Sequence, residues 1–307
     1  MAPPKPTKAA TRRSPTTTKA ERADGAASRS VALVPVPKPD EVGELADPRR
    51  SDVDEWGRSE HMRGIARQIY GPLYRSWHRV EWEGLDKIPA EGGALLVSNH
   101  AGAIPADAPA IMHGIETELG RSVYGLADEI FKQLPVVGTM WSRVGGVLAH
   151  PDNAYRLLRE QQQLALVFPE GTKGTGKTYG ERYQLRRFGR GGFVQIAMRA
   201  GVPVIPIAVV GAEEAMPILW KSPQLAKLLG LPYFPITANM VAFGPLGLLH
   251  LPAKIRIRVL DPVHFDVEPD QPRYSRSRIM DESEQIRQQI QEALYDMLRM
   301  RQSVWFG

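Results

Sequence analysis

The sequence predicts an α/β fold in which a mostly parallel central sheet is flanked by helices. Short, nearly continuous apolar runs recur along the chain, and segments with three- and four-residue apolar spacing lie between most of them. Such runs are typical of strands in a parallel sheet that is covered on both faces. The chain has 307 residues, and about 250 remain after a polar N-terminal stretch, which is enough for one domain with its own core.

Residues 1–52 are expected to form a disordered tail that is basic at first and acidic later. Residues 1–39 are rich in Pro, Ala, Thr, Ser, Lys and Arg and have few large apolar side chains. They cannot bury enough surface to offset the entropy of ordering. Because the stretch has no continuous apolar segment, no signal peptide is expected.

Residues 53–80 are predicted to form an amphipathic helix. Its apolar side chains recur at three- and four-residue steps and are Met62, Ile65, Ile69, Leu73 and Trp77. The Gly71–Pro72 pair should kink or split the helix. Arginines occupy its other faces, so the apolar stripe is suited either to a membrane interface or to the core of the domain. Both interpretations stay open at this point.

Residues 81–307 are predicted to form the folded domain. The predicted strands are 93–98, 122–126, 146–149, 164–168, 202–210 and 254–260. The predicted helices are 105–119, 152–163, 191–200 and 281–300. The last helix has an apolar seam that consists of Ile286, Ile290, Leu294 and Leu298. Strands and helices that alternate in this way are expected to form a parallel sheet.

The composition excludes several classes of protein. The chain has no cysteine, which rules out a disulfide scaffold and a thiolate zinc site. Its seven histidines are scattered without the spacing of metal ligands, so no metal is expected. The net charge of +5 is compatible with anionic partners such as phospholipid headgroups or coenzyme A, but does not choose among them.

A histidine and an aspartate follow the first strand of the alternating region. His100 comes directly after the apolar run, and Asp107 is the only carboxylate in the following loop and first helical turn. Histidine is suited to remove a proton from an attacking hydroxyl, and a carboxylate on its other ring nitrogen would hold the tautomer. If Pro105 is the first helical residue, Asp107 lies in the first turn, where the helix dipole favours its anion.

Three stretches in this order resemble the glycerolipid and lysophospholipid acyltransferase family, of the 1-acylglycerol-3-phosphate acyltransferase type. They are Val97-Ser98-Asn99-His100, Phe168-Pro169-Glu170-Gly171-Thr172 and Val202-Pro203-Val204-Ile205-Pro206. The family's first motif has four residues between the histidine and the aspartate. This chain has six residues between His100 and Asp107, so it is a variant with a longer spacing.

The resemblance implies an enzyme that transfers a fatty acyl group from acyl-CoA, or another acyl thioester, to a lipid hydroxyl. His100 would be the general base and Asp107 its partner. The residues expected to bind substrate are Asn99, Glu170, Gly171, Thr172, Lys173 and Arg187. Acyl-CoA is a co-substrate, and no bound cofactor is expected. The expected partners are the thioester, the lipid acceptor and a membrane surface, without nucleic acid. The expected location is the cytoplasmic side of a membrane, as a peripheral protein.

The identity of the acceptor stays open. The family places a phosphate-binding arginine after the strand that follows a glycine pair, but here Gly145-Gly146 leads to His150 and no arginine stands there. The acceptor is therefore either a neutral acylglycerol or long-chain alcohol, or a phosphorylated lipid bound by Lys173, Arg186 or Arg187 instead.

Two further features need an interpretation. Residues 228–253 contain no charged residue, but repeated prolines and glycines exclude a transmembrane helix. The segment is therefore expected to be a hydrophobic flap near the acyl groove, a flap that dips into the headgroup layer, or ordinary core packing. Residues Gly171 to Thr178 match the pattern GxxxxGK[ST], which predicts an alternative: a P-loop nucleotide-binding protein.

Overall fold

A computed structural model of the chain describes residues 52–128 and 135–307. The predicted tail, apart from Asp52, lies outside the described residues. The strands are β1 (Glu81–Glu83), β2 (Ala94–Ser98), β3 (Val123–Ala127), β4 (Gly146–Leu148), β5 (Leu164–Val167), β6 (Val204–Val210), β7 (Ile218–Lys221), β8 (Pro235–Thr237) and β9 (Arg256–Val259). Seven of them form one sheet in the order β1-β9-β6-β2-β5-β3-β4, while β7 and β8 form a separate antiparallel pair.

The central sheet is parallel except for the pairing of β6 with β9. This confirms the predicted fold class. The helices are α1 (Glu60–Pro72), α2 (Asp107–Leu119), α3 (Pro135–Arg143), α4 (Pro151–Tyr155), α5 (Thr172–Thr175), α6 (Gly192–Ala200), α7 (Ala212–Ala215), α8 (Pro223–Leu229), α9 (Ala238–Phe243) and α10 (Arg276–Met300). A π-helical turn, Arg156–Glu160, continues α4.

Each face of the sheet has its own apolar core. Successive residues of β2 point to opposite faces: Leu96 packs with α2, whereas Leu95 and Val97 pack with α6 and α10. The seam predicted on the last helix supplies the second core, in which Ile286 and Ile290 are fully buried. Both faces of the sheet are covered by helices. The residues that follow the carboxyl ends of the strands are therefore the ones whose side chains can meet a ligand.

The amphipathic segment is shorter than the predicted 53–80 and does not bury its apolar stripe. α1 begins at Glu60 because the Ser59 hydroxyl accepts a hydrogen bond from the Met62 N–H at 3.1 Å. The α-helix ends at Pro72, and a π-helical turn, Leu73–Trp77, follows it. Four of the five side chains of the stripe are exposed, with Ile69 at 67%, and Met62 is half-buried. Packing of the stripe in the core, one of the two interpretations, is therefore wrong.

The uncharged segment 228–253 folds into short elements rather than one helix. It contains the end of α8, β8, α9 and a 3₁₀ segment, Gly244–Leu248. Several of its large apolar side chains are exposed, namely Leu228, Leu229, Val241, Phe243, Leu246, Leu248 and Leu249. No helix within residues 52–128 and 135–307 has the length and hydropathy needed to cross a bilayer.

Candidate active site

His100 and Asp107, the predicted general base and its partner, meet at the carboxyl end of the central sheet. Asp107 begins α2, two residues later than the predicted helix start at Pro105. The six-residue loop turns back on itself, and His100 Nδ1 lies 3.0 Å from Asp107 Oδ2. This contact fixes the tautomer: Nδ1–H donates to the carboxylate, which leaves Nε2 as the basic nitrogen. The described residues provide no hydrogen-bond partner for Nε2.

Asp107 is held by more than the histidine. Its side chain is completely buried, and its Oδ2 also accepts the Ala101 N–H at 2.8 Å. Its Oδ1 accepts the Ala108 N–H at 2.6 Å. Three N–H donors around one carboxylate stabilise its anion and its orientation. The aspartate is therefore placed before any substrate arrives.

The imidazole is held from one face and through its own backbone. The ring of Phe168 stacks on the His100 ring at a centroid distance of 4.0 Å. The Glu170 carboxylate accepts the His100 N–H at 3.1 Å through Oε1 and the Arg186 N–H at 2.7 Å through Oε2. These strand ends are adjacent because Val97 of β2 pairs with Val167 of β5.

Asn99 and Glu170, both predicted to bind substrate, face inward. The Asn99 amide exchanges two hydrogen bonds with the backbone of Val209, at 2.8 and 3.0 Å, and is fully buried. The Glu170 side chain is likewise completely buried. Direct contact of either side chain with an acceptor would first require these bonds to break. Both residues therefore support the site in this structure, and substrate binding by either of them stays a prediction.

The other predicted substrate-binding residues lie on the surface beside this arrangement. Gly171 adopts a φ of 54° and a ψ of −144°, which side chains rarely tolerate, so the turn after Glu170 needs glycine. Thr172, Lys173 and Arg187 are exposed. The binding roles predicted for these residues stay predictions.

The P-loop alternative is wrong. A P-loop lysine must project towards phosphates, but the Lys177 side chain is only 1% exposed. Its Nζ lies 3.0 Å from Glu213 Oε1 and 3.5 Å from Glu170 Oε2. The segment also lacks the long helix that such a loop should open, because α5 is a single turn. The sequence match is therefore not a nucleotide site.

Several supporting residues were missed by the sequence reasoning: Phe168, Gly174, Lys177 and Glu213. Burial raises the pKa of Glu213 to about 7, against the opposing effect of the Lys177 cation. Only Phe168 and Gly174 had a usable signal, since they lie within or just after the Phe-Pro-Glu-Gly-Thr motif. In the described part of the chain, no cluster of three or more His, Asp or Glu side chains is placed to hold a metal ion.

Replacing Gly174 by alanine should disturb the site. A Cβ at this position would lie 2.9 Å from the Cβ atoms of both His100 and Glu170, too close for real carbon contacts. We expect a loss of about 1–3 kcal/mol in stability and a fall in turnover on the order of tenfold, measured by thermal unfolding and by initial rates. Gly180→Ala is the matched control, because its Cβ would meet no atom within 4 Å. Equal behaviour of the two variants would contradict the packing argument.

The chain belongs to the acyltransferase family. The family model named Acyltransferase matches residues 79–210, which include the His100–Asp107 pair and the Glu170 turn. An uncharacterized protein of Mycobacterium tuberculosis is 39% identical over 262 residues, which cover 83% of this chain and 72% of the relative.

Two further comparisons concern proteins whose activity is named. The bovine (Bos taurus) DGAT1/2-independent enzyme synthesizing storage lipids is 25% identical, over 83% of this chain and 76% of its own length. The crystal structure of the 1-acyl-sn-glycerophosphate acyltransferase PlsC from Thermotoga maritima aligns with a TM-score of 0.50 at 19% identity, over 80% of each chain. The latter shows a shared fold.

Proposed function

We propose that this protein is an O-acyltransferase that moves a fatty acyl group from acyl-CoA, or another acyl thioester, to a hydroxyl of a glycerolipid or lysophospholipid. One observation carries the proposal: the 3.0 Å contact between His100 Nδ1 and Asp107 Oδ2 at the carboxyl end of the central sheet, within the region that matches the family. The contact leaves a basic nitrogen on a ring that is 16% exposed, so an incoming hydroxyl can reach it.

The proposed reaction needs one base that later returns its proton. Nε2 of His100 takes the proton of the acceptor hydroxyl as the oxygen attacks the thioester carbonyl. A carbon–oxygen bond forms, the carbon–sulfur bond breaks, and the leaving thiolate takes the proton back from the imidazolium. The Asp107 anion stabilises the imidazolium while it exists. The products are the ester and the free thiol.

Glu170 supports this step indirectly in the proposed mechanism. Its carboxylate accepts hydrogen bonds from the backbone N–H groups of His100 and Arg186 and so fixes the main chain at both residues. Phe168 prevents the ring from tilting, since it covers one face of the imidazole. A base that is fixed in this way loses little entropy when the hydroxyl arrives.

The second candidate acceptor is a neutral lipid, either an acylglycerol or a long-chain alcohol. The segment after β4 supports it, because His150 stands there and its Nδ1 lies 3.6 Å from Asp152 Oδ2, where the family has a phosphate-binding arginine. The similarity to the bovine enzyme synthesizing storage lipids also supports a neutral acceptor. Against it, Lys173 and Arg187 are exposed beside the site and can meet a phosphate.

The test is transfer of a labelled acyl group from acyl-CoA by the purified full-length chain. Lysophosphatidate, monoacylglycerol, diacylglycerol and a long-chain alcohol serve as separate acceptors. We expect a labelled ester together with free coenzyme A thiol. Preference for lysophosphatidate favours the phosphorylated acceptor, and transfer only to the uncharged lipids favours the second candidate. No ester with any acceptor or any acyl thioester would refute the proposed function.

We also propose that the protein acts at a membrane surface. The support is the apolar surface, defined here as the exposed apolar side chains of the α1 stripe, of Ile104 and of segment 228–253. Trp77 Nε1 donates to the His250 carbonyl at 2.9 Å, and His250 Nε2 donates to the Ile104 carbonyl at 2.9 Å. These bonds join the π-helical turn after α1, segment 228–253 and the loop between His100 and Asp107. Exposed Arg75, Lys221 and Lys227 suit anionic headgroups.

Charges placed on the apolar surface should weaken lipid binding. Ile69→Asp and Leu249→Asp are expected to lower partitioning into vesicles with anionic lipid by about tenfold each, because both side chains lose apolar contact with the interface. Met300→Asp, at the end of α10, is the control, because Met300 is exposed but belongs neither to the stripe nor to segment 228–253. Cosedimentation with vesicles measures the effect. Equal loss in all three variants would contradict a specific lipid-facing surface.

A further inference from the structure

Lys177 is a buried cation that the proposed reaction does not use directly. Its ammonium group lies between two buried carboxylates, 3.0 Å from Glu213 Oε1 and 3.5 Å from Glu170 Oε2. The three side chains are 1%, 6% and 0% exposed, respectively. A single cation therefore faces two carboxyl groups away from water, and burial raises the pKa of Glu213 to about 7, so that this carboxyl is partly protonated at neutral pH. Removal of one member of such a group is costly, because an uncompensated charge stays buried.

Glu170 is the link between this cation and the histidine. One of its oxygens accepts the backbone N–H of His100, and the other accepts the backbone N–H of Arg186 and faces Lys177. A proton on Glu170 would remove one of these acceptors and free the main chain that carries the imidazole. The position of His100 thus depends on the charge of a carboxylate whose nearest cation is Lys177.

We propose that Lys177 is a positioning residue that holds Glu170, and through it His100, in the geometry needed for transfer. The inference rests on the proposed function for its activity readout. Glu213 completes the arrangement as the second partner of Lys177. It also accepts the Tyr183 N–H at 3.1 Å, which ties α7 to the segment before Arg186.

The other charged groups around Glu170 and Glu213 have their own partners. Arg186 pairs through its side chain with Glu181. Arg301 pairs with Glu214 at 2.9 Å, and Glu214 also accepts the Tyr183 hydroxyl. Arg287 of α10 is bonded to Glu284, although Glu170 acts on it electrostatically. His100 is bonded to Asp107. None of these cations replaces Lys177.

The experiment compares Lys177→Met with Lys87→Met. The control removes a lysine that forms an ion pair with exposed Asp261 at 2.8 Å. We expect Lys177→Met to lower kcat by 10- to 100-fold, with the KM for the acyl donor within about twofold. The acid limb of the kcat–pH profile should move to higher pH, because the Lys177 cation lowers the pKa of Glu213 in the same buried group and its removal raises that pKa. The Tm should fall on the order of 10 °C.

A second substitution keeps the inference testable if Lys177→Met folds poorly. Lys177→Met/Glu213→Gln removes one of the two carboxylates, so most of the Tm loss and of the pH shift should be recovered. Lys177→Arg retains the cation and should keep the wild-type pH profile. A folded Lys177→Met with wild-type kcat, or with lower kcat and an unchanged pH profile, would overturn the inference.

Failure of the proposed function would look different. The wild-type chain would then transfer no acyl group, whereas the pH dependence of unfolding would still report on the buried group. Without acyl transfer, recovery of Tm by the double variant would still support the charge balance. No recovery would overturn it.

Discussion

The substitution His100→Ala is expected to lower kcat/KM for acyl transfer by about 10²–10⁴-fold, which is the usual contribution of a positioned general base. The imidazole is partly exposed at the carboxyl end of the sheet. Its removal should therefore leave the core and the far-ultraviolet circular dichroism spectrum unchanged. Initial rates with labelled acyl-CoA measure the effect. His264→Ala is the control, because it removes an exposed histidine after β9.

Added imidazole gives this prediction a second readout. The alanine variant leaves a space over Phe168 in which a free imidazole can stack. Partial recovery of turnover that increases with the concentration of neutral imidazole would indicate a missing base. Full turnover in the variant without imidazole would refute the role of His100.

The substitution Asp107→Asn is expected to lower kcat by about 10²–10⁴-fold. The amide cannot stabilise the His100 imidazolium and can favour the wrong tautomer of the imidazole. The amide also has one acceptor oxygen where the carboxylate uses two, for the Ala101 and Ala108 N–H groups. We therefore expect an additional loss of about 1–3 kcal/mol in stability. Chemical denaturation and steady-state rates separate the two effects.

A double-mutant cycle tests whether the two residues act as one unit. His100→Ala/Asp107→Asn should lose no more activity than His100→Ala alone, because the aspartate acts through the imidazole. Losses that multiply would show an independent role of Asp107. Asp86→Asn is the matched control, since Asp86 is an exposed aspartate in the first turn of a short 3₁₀ segment.

Much of the fold could be predicted because its signals are local. β6 is wholly apolar and β2 is apolar except for its last residue, Ser98; both strands are buried along their length, and their positions follow from composition alone. β1 and β8 have three residues each, which is too short for a periodic pattern. The sequence predicts the start of α2 two residues too early, because Pro105 suits a first helical turn, whereas in the structure Pro105 belongs to the loop that returns Asp107 to His100.

The site was predictable only where polar groups follow strands directly. His100 and Glu170 come just after β2 and β5, and the pairing of these strands brings them together. The match of Gly171–Thr178 to the P-loop pattern is misleading about Lys177, because a sequence pattern shows the residue type but not the direction of its side chain. Its partner Glu213 is 36 positions further along the chain, beyond β6, and sequence spacing gives no measure of such a contact.

The bonds of His250 to Trp77 and Ile104 have a kinetic consequence. They tie the loop between His100 and Asp107 to the apolar surface. In the proposed membrane-bound enzyme, an acceptor would therefore enter by lateral diffusion within the leaflet without crossing water. Turnover should then follow the mole fraction of acceptor in the bilayer, and dilution of that bilayer with inert lipid should slow the reaction at constant total acceptor.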